Sequence, residues 1–194
     1  MPLSIGEQID SLGATIAETR CHFQVWEALQ EARGDEASAR AMNCYREFFA
    51  STMLAHFESS VLSCYQLFET RNDTVNFPSL KRALKAIENR DIDQEPELVR
   101  IQAEIRPIWV KICEIRNKSV GHLSSEQSQA QIFAHAGLSP KDVWNFLDLT
   151  VKLHHGITYP RNQSFEAFNI NGKPSTERLI SDIKKQRLNC CVRR

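Results

Sequence analysis

Residues Pro96 to His122 read PELVRIQAEIRPIWVKICEIRNKSVGH, and their spacing decides the fold. Leu98, Ile101, Ile105, Ile108, Ile112 and Ile115 recur at three- and four-residue steps. That is the repeat of a helix seam, not the two-residue repeat of a strand. Proline at position 96 suits a first helical turn, where its missing N–H is not needed. One long helix is predicted from about Pro96 to about Leu123, with a kink at Pro107.

The same periodicity extends outward. A first helix is predicted over Ser4–Ala32 on Ile5, Ile9, Leu12, Ile16, Phe23 and Trp26, ended by Arg33-Gly34-Asp35. A second, over Glu36–Thr70, is apolar on several sides through Phe48, Phe49, Met53, Leu54 and Phe57, the pattern of a central or interface helix. A short helix follows over Pro78–Asn89. The run Ser124–Gln129 is a loop or a weak helix start. Ser139-Pro140 opens a further helix that Pro160 stops, and a last amphipathic helix covers Ser175–Leu188. The fold class is all-α: an up-down bundle of four long helices, with a short inserted helix and a C-terminal helix. Residues 1–160 are expected to form the bundle, and 161–194 a polar linker and basic C-terminal helix.

Composition agrees. The 194 residues are 42% apolar and contain only seven glycines, too few for the tight turns of an all-β fold. Formal charge is zero, which argues against a protein that coats nucleic acid non-specifically. Any RNA contact must come from a local patch, and the basic cluster is Arg178, Lys184, Lys185, Arg187, Arg193 and Arg194. Cys21, Cys44, Cys64 and Cys113 fall inside helical patterns as small hydrophobes, and Cys190-Cys191 lacks the spacing of a zinc site. A reducing, cytoplasmic setting is expected. The N-terminus carries Glu7 and Asp10 without a basic-then-apolar leader, and no run approaches the ~20 apolar residues of a membrane span.

Chemistry is expected at Arg116-Asn117-Lys118-Ser119-Val120-Gly121-His122. Continuing the isoleucine seam puts Ser119 and then His122 on the packed face, with Arg116 one residue off it. Cleaving RNA without a metal needs a base for the 2′-hydroxyl proton, an acid for the leaving 5′-oxygen, and positive charge on the phosphorane. Histidine titrates near neutrality and serves as either base or acid. Arginine forks onto phosphate oxygens, and Asn117 can orient it. Two copies related by a two-fold axis would bring two histidines together. The alternative for His122 is a C-terminal cap, where an imidazolium favours the helix dipole.

Arg-Asn, four further residues and then His, near the end of a long helix, resembles the signature of the HEPN superfamily. The stretch Ser63–Leu80, SCYQLFETRNDTVNFPSL, resembles the second-helix exit and short helix of its AbiU-type abortive-infection branch. The likeness covers roughly residues 5 to 160. It implies a metal-independent endoribonuclease without cofactors, acting as a homodimer, often a toxin or antiphage effector. Arg116, Asn117 and His122 inherit the catalytic roles, and Lys118 and Ser119 become substrate-binding candidates. The expected partners are an RNA substrate, a second copy, and an antitoxin or regulatory protein. The second reading is a non-catalytic HEPN-like module that binds a nucleotide or a protein partner.

Other groups are expected to be structural. His154-His155 diverge by roughly 100° on a helix and make a poor metal pair. Glu58, Ser60 and Ser63 either bond within the bundle or line a cleft opposite the motif. Trp26, Trp109 and Trp144 fit core positions.

Overall fold

The computed structural model describes residues 3–120, 129–159 and 170–192. They form helices α1 (Ile5–Gly34), α2 (Glu36–Asn43), α3 (Arg46–Gln66), α4 (Phe77–Glu88), α5 (Pro96–Ile115), α6 (Gln129–Ala136), α7 (Pro140–Thr158) and α8 (Lys173–Val192). A 3-10 turn covers Ile92–Gln94, a π-helical segment covers Arg116–Val120, and no strand occurs among the described residues. The chain is an all-α helical bundle, as the spacing predicts.

It divides into two compact units, Met1–Ala17 with Val61–Phe168, and Glu18–Ser60 with Asn169–Arg194. In the first unit, α5 packs on α7. The α5 seam is buried throughout, no member more than 6% exposed, as are Phe146, Leu147 and Leu153 on α7. Ile5, Ile9, Leu12 and Ile16 of α1 are buried too, and His154 Nε2 lies 3.0 Å from the Ile9 carbonyl oxygen. Arg90 closes the end of α7 by donating to Ile157 O (2.8 Å) and Gly156 O (3.1 Å) while paired with Glu95. Carbonyls at a helix C-terminus have no partner within the helix, and the guanidinium supplies one.

In the second unit, Leu29, Met42, Phe49, Met53 and Ile180 form the core, flanked by Val25, Trp26 and Ile183. Here α8 packs on α2. Gly172 leads into α8 hard against α1: its N–H donates to Gln24 Oε1 at 2.7 Å, and an added Cβ would sit 3.0 Å from Cys21 O. Lys173–Glu31 and Lys184–Asp35 pairs flank the contact.

Two expectations need correction. The second long helix is two helices, broken at Cys44-Tyr45. Cys44 N–H donates to Ala41 O and Tyr45 N–H to Met42 O, bonds reaching three residues back that tighten the turn without glycine or proline. Cys44 is therefore exposed and not a packed thiol. That rod also stops at Gln66, short of Thr70, because Asn76 organises the turn beyond. Its amide donates to Arg71 O and Thr74 Oγ1, and its oxygen caps Ser79 N–H. The run expected as a loop or weak helix start, Ser124–Gln129, lies outside the described residues up to residue 128, and α6 begins at Gln129: Ile132 and Ala136 are buried one turn apart, and Gly137, at φ +57°, ends it in the left-handed region.

Candidate functional site

The seam of α5 carries the motif to its end and there changes its winding. The α-helix gives way at Arg116 to the π segment Arg116–Val120, in which bonds reach one residue further and the helix widens. Arg116, Asn117, Lys118 and Ser119 all lie in that segment. Gly121 and His122 lie outside the described residues, as does the side chain of Ser119.

Arg116 follows buried Ile115 and is itself half-buried. Its guanidinium carbon stands 4.6 Å above the centre of the Tyr65 ring, donated by α3. An arginine so placed gains roughly 0.5–2 kcal/mol from the ring and loses freedom of direction. One Nη–H donates to Asn117 Oδ1 at 3.0 Å. The buried Nε–H has no hydrogen-bond partner among the described residues. Leaving such a donor unmet costs about 1–3 kcal/mol, so an exception of this kind asks for a ligand or a reason.

The Tyr65 ring is also stacked on Trp109, centroids 6.2 Å apart and planes 15° from parallel. Trp109 Nε1–H donates to Tyr65 O at 3.3 Å. Trp109 is half-buried, not a core residue as its spacing implies, and with Phe68, Gln102, Ile105 and Arg106 it lines a groove of about 470 Å³. A ladder of Arg116, Tyr65 and Trp109 thus runs from the motif to a groove edged by a second arginine.

Lys118 does not join Arg116. Its ammonium bonds Glu114 Oε1 at 2.8 Å, one turn back, and this contact draws the Glu114 carboxyl below its usual range. His135 approaches the same carboxylate at 3.6 Å. Glu114 is therefore engaged by Lys118 and His135, which frees Arg116 from the surface ion pair that sequence neighbours allow. Cys113, one turn before Asn117, is half-buried, and burial pushes its thiol up to about 11 against the opposing pull of Arg116.

Of the groups expected to be structural, Ser60 is buried and bonds His56 O at 2.7 Å. His154 is buried, and burial lowers its pKa. Tyr65 is the contributor that sequence reasoning missed: it lies 51 positions before Arg116, and no local pattern links the two.

Comparison with known proteins gives this all-α bundle its class. The family model described as AbiU2, a HEPN family, matches residues 3–159, and the chain belongs to that family, whose context is abortive infection. No curated protein and no solved structure matches the chain.

Proposed function

We propose that the protein is a metal-independent endoribonuclease of abortive infection, acting as a homodimer whose two motifs face a shared groove. The observation that carries this reading is the Arg116 guanidinium, held over Tyr65 and by Asn117 in a π segment, with a buried Nε–H that a phosphate oxygen would satisfy. Arg116 clamps the scissile phosphate and stabilises charge on the phosphorane. Asn117 fixes the direction of the guanidinium, and His122 moves the proton as base or acid. Ser119 contacts the substrate backbone; Lys118 adds its charge once Glu114 releases it. The half-exposed Trp109 gives the adjoining nucleotide a face to stack on, worth roughly 1–3 kcal/mol per base. The chemistry is assigned to residues 1–160, and the basic helix within 161–194 completes the core of the second unit. A regulatory protein or antitoxin covering the groove keeps the enzyme silent.

Expression in a bacterial host tests this. The wild-type chain arrests growth and fragments cellular RNA, whereas His122→Ala and Arg116→Ala variants, equally helical by circular dichroism, do neither. Arrest that persists in both variants overturns the reading. Sedimentation of the purified protein gives about twice the 22.2 kDa of one chain.

The alternative, a non-catalytic module that binds a nucleotide or partner, takes support from the contacts Arg116 already makes with Tyr65 and Asn117. It predicts binding of short RNA without turnover.

A further inference from the structure

We infer that the groove edged by Arg106 is a second nucleotide subsite, in which one unpaired base stacks on Trp109 while Arg106 holds a phosphate of the same strand. This rests on the reading of Arg116 as the clamp for the scissile phosphate, and it assigns what the strand meets next. The ladder of Arg116, Tyr65 and Trp109 leads from that clamp into the groove. The walls are set in advance. Trp109 Nε1–H is tied to Tyr65 O, and Phe68 is fixed by stacking on Phe77 at 4.9 Å and by a T-shaped contact with Phe146 at 5.7 Å. Ile105, 1% exposed, backs them. Side chains already held lose little freedom when a ligand arrives, so the stacking energy is left for affinity. The groove's volume of about 470 Å³ falls within the range of clefts that take small organic molecules, about 300–1,000 Å³.

Charge complements the ring face. Arg100, earlier on α5, is paired with both Glu97 and Glu104. Arg106 is exposed, and the residues three and four positions from it on either side, Gln102, Ala103, Trp109 and Val110, carry no charge. No neighbour on its own helix therefore neutralises it. Arg106 and Arg116 lie roughly 15 Å apart along the helix with Trp109 between them, so they meet different phosphates of one strand. Gln102 Nε2 donates to Leu98 O at 3.2 Å, and the indole N–H is committed to Tyr65. Recognition thus falls to the ring face and the charge, a combination that tolerates any base. A base within a duplex is stacked on both faces and cannot enter, so the subsite selects unpaired RNA.

The test uses the full chain and a 2′-O-methyl adenylate hexamer, whose blocked 2′-oxygen prevents cleavage; it is end-labelled for anisotropy and unlabelled for tryptophan emission. Binding quenches the emission of the wild-type protein. Trp109→Phe, which keeps a ring, binds within a few-fold of wild type and loses the quench. Trp109→Leu, equally helical by circular dichroism, binds about tenfold more weakly. Arg106→Gln lowers the slope of log Kd against log salt by about 0.7, the share of one phosphate on a single strand, whereas Arg100→Gln leaves the slope unchanged. Absence of binding, emission unquenched at saturation, a Trp109→Leu affinity equal to wild type, or an Arg106→Gln slope equal to wild type overturns the subsite. Because the probe cannot be cut, a chain without nuclease activity still tests the subsite, and a chain that cuts RNA without the quench loses the subsite alone.

Discussion

Arg116 has a direction because Tyr65 gives it one. The ring occupies one face of the guanidinium at 4.6 Å, and Asn117 fixes an edge. Tyr65→Leu removes the platform while leaving an apolar side chain. A cation–π contact of about 1–2 kcal/mol then disappears, and kcat/KM for RNA falls about tenfold, each ~1.4 kcal/mol being one decade. Tyr65→Phe keeps the ring and the rate. Steady-state kinetics on both variants checks this; equal loss in the two would mean that the hydroxyl, not the ring face, matters. Arg116, Asn117 and Ser119 were legible as candidates because a seam of isoleucines gives way to polar residues at its end. The Tyr65 support was not, since partners far apart in sequence leave no mark in local spacing.

Among the elements, α4 is held by its cap. Asn76, wholly buried, accepts from Ser79 N–H at 2.7 Å and donates to Arg71 O and Thr74 Oγ1. Asn76→Ala costs roughly 1–2 kcal/mol, read as a lower urea midpoint at unchanged helicity. Gly172→Ala is a second case: its Cβ would meet Val25 Cγ2 at 2.7 Å and Cys21 O at 3.0 Å. The backbone atom cannot rotate away, so the start of α8 shifts at a cost of about 1–3 kcal/mol, again measured by denaturation. The helices α1 and α7, with their long apolar periods, were plain in the sequence to within a few residues, as was the start of α5, whose expected end near Leu123 lies outside the described residues. The break at Cys44-Tyr45, the π segment at Arg116 and the eight-residue α6 were not, because each rests on a backbone bond pattern or a tertiary contact and no residue type announces it.

Across the whole molecule, buried His154 and half-buried His56 shape the response to acid. Burial is the main cause that lowers both His154 and His56 below 6.5; the Ile9 carbonyl opposes it at His154, and His22 adds to it at His56. As pH falls through ~6.5 the unfolded chain takes up protons that the folded chain refuses, so protonation favours unfolding. Stability is therefore full above that pH and is lost as pH drops toward the folded-state values. The urea midpoint should fall between about pH 7.5 and about pH 5.5, and His154→Gln, which keeps a donor for Ile9 O, should flatten the slope. An unchanged midpoint would contradict the lowered pKa of the two rings.

No helix among the described residues is long and apolar enough to cross a membrane. The most direct measurement is the chemistry of the cut ends. Purified protein is incubated with single-stranded RNA of mixed sequence in excess EDTA, and the 3′ ends of the fragments are identified by mass spectrometry. The account predicts fragments ending in 2′,3′-cyclic phosphate, formed at the same rate with and without chelator and absent with Arg116→Ala. Fragments ending in 3′-hydroxyl, or cleavage abolished by EDTA, would contradict it.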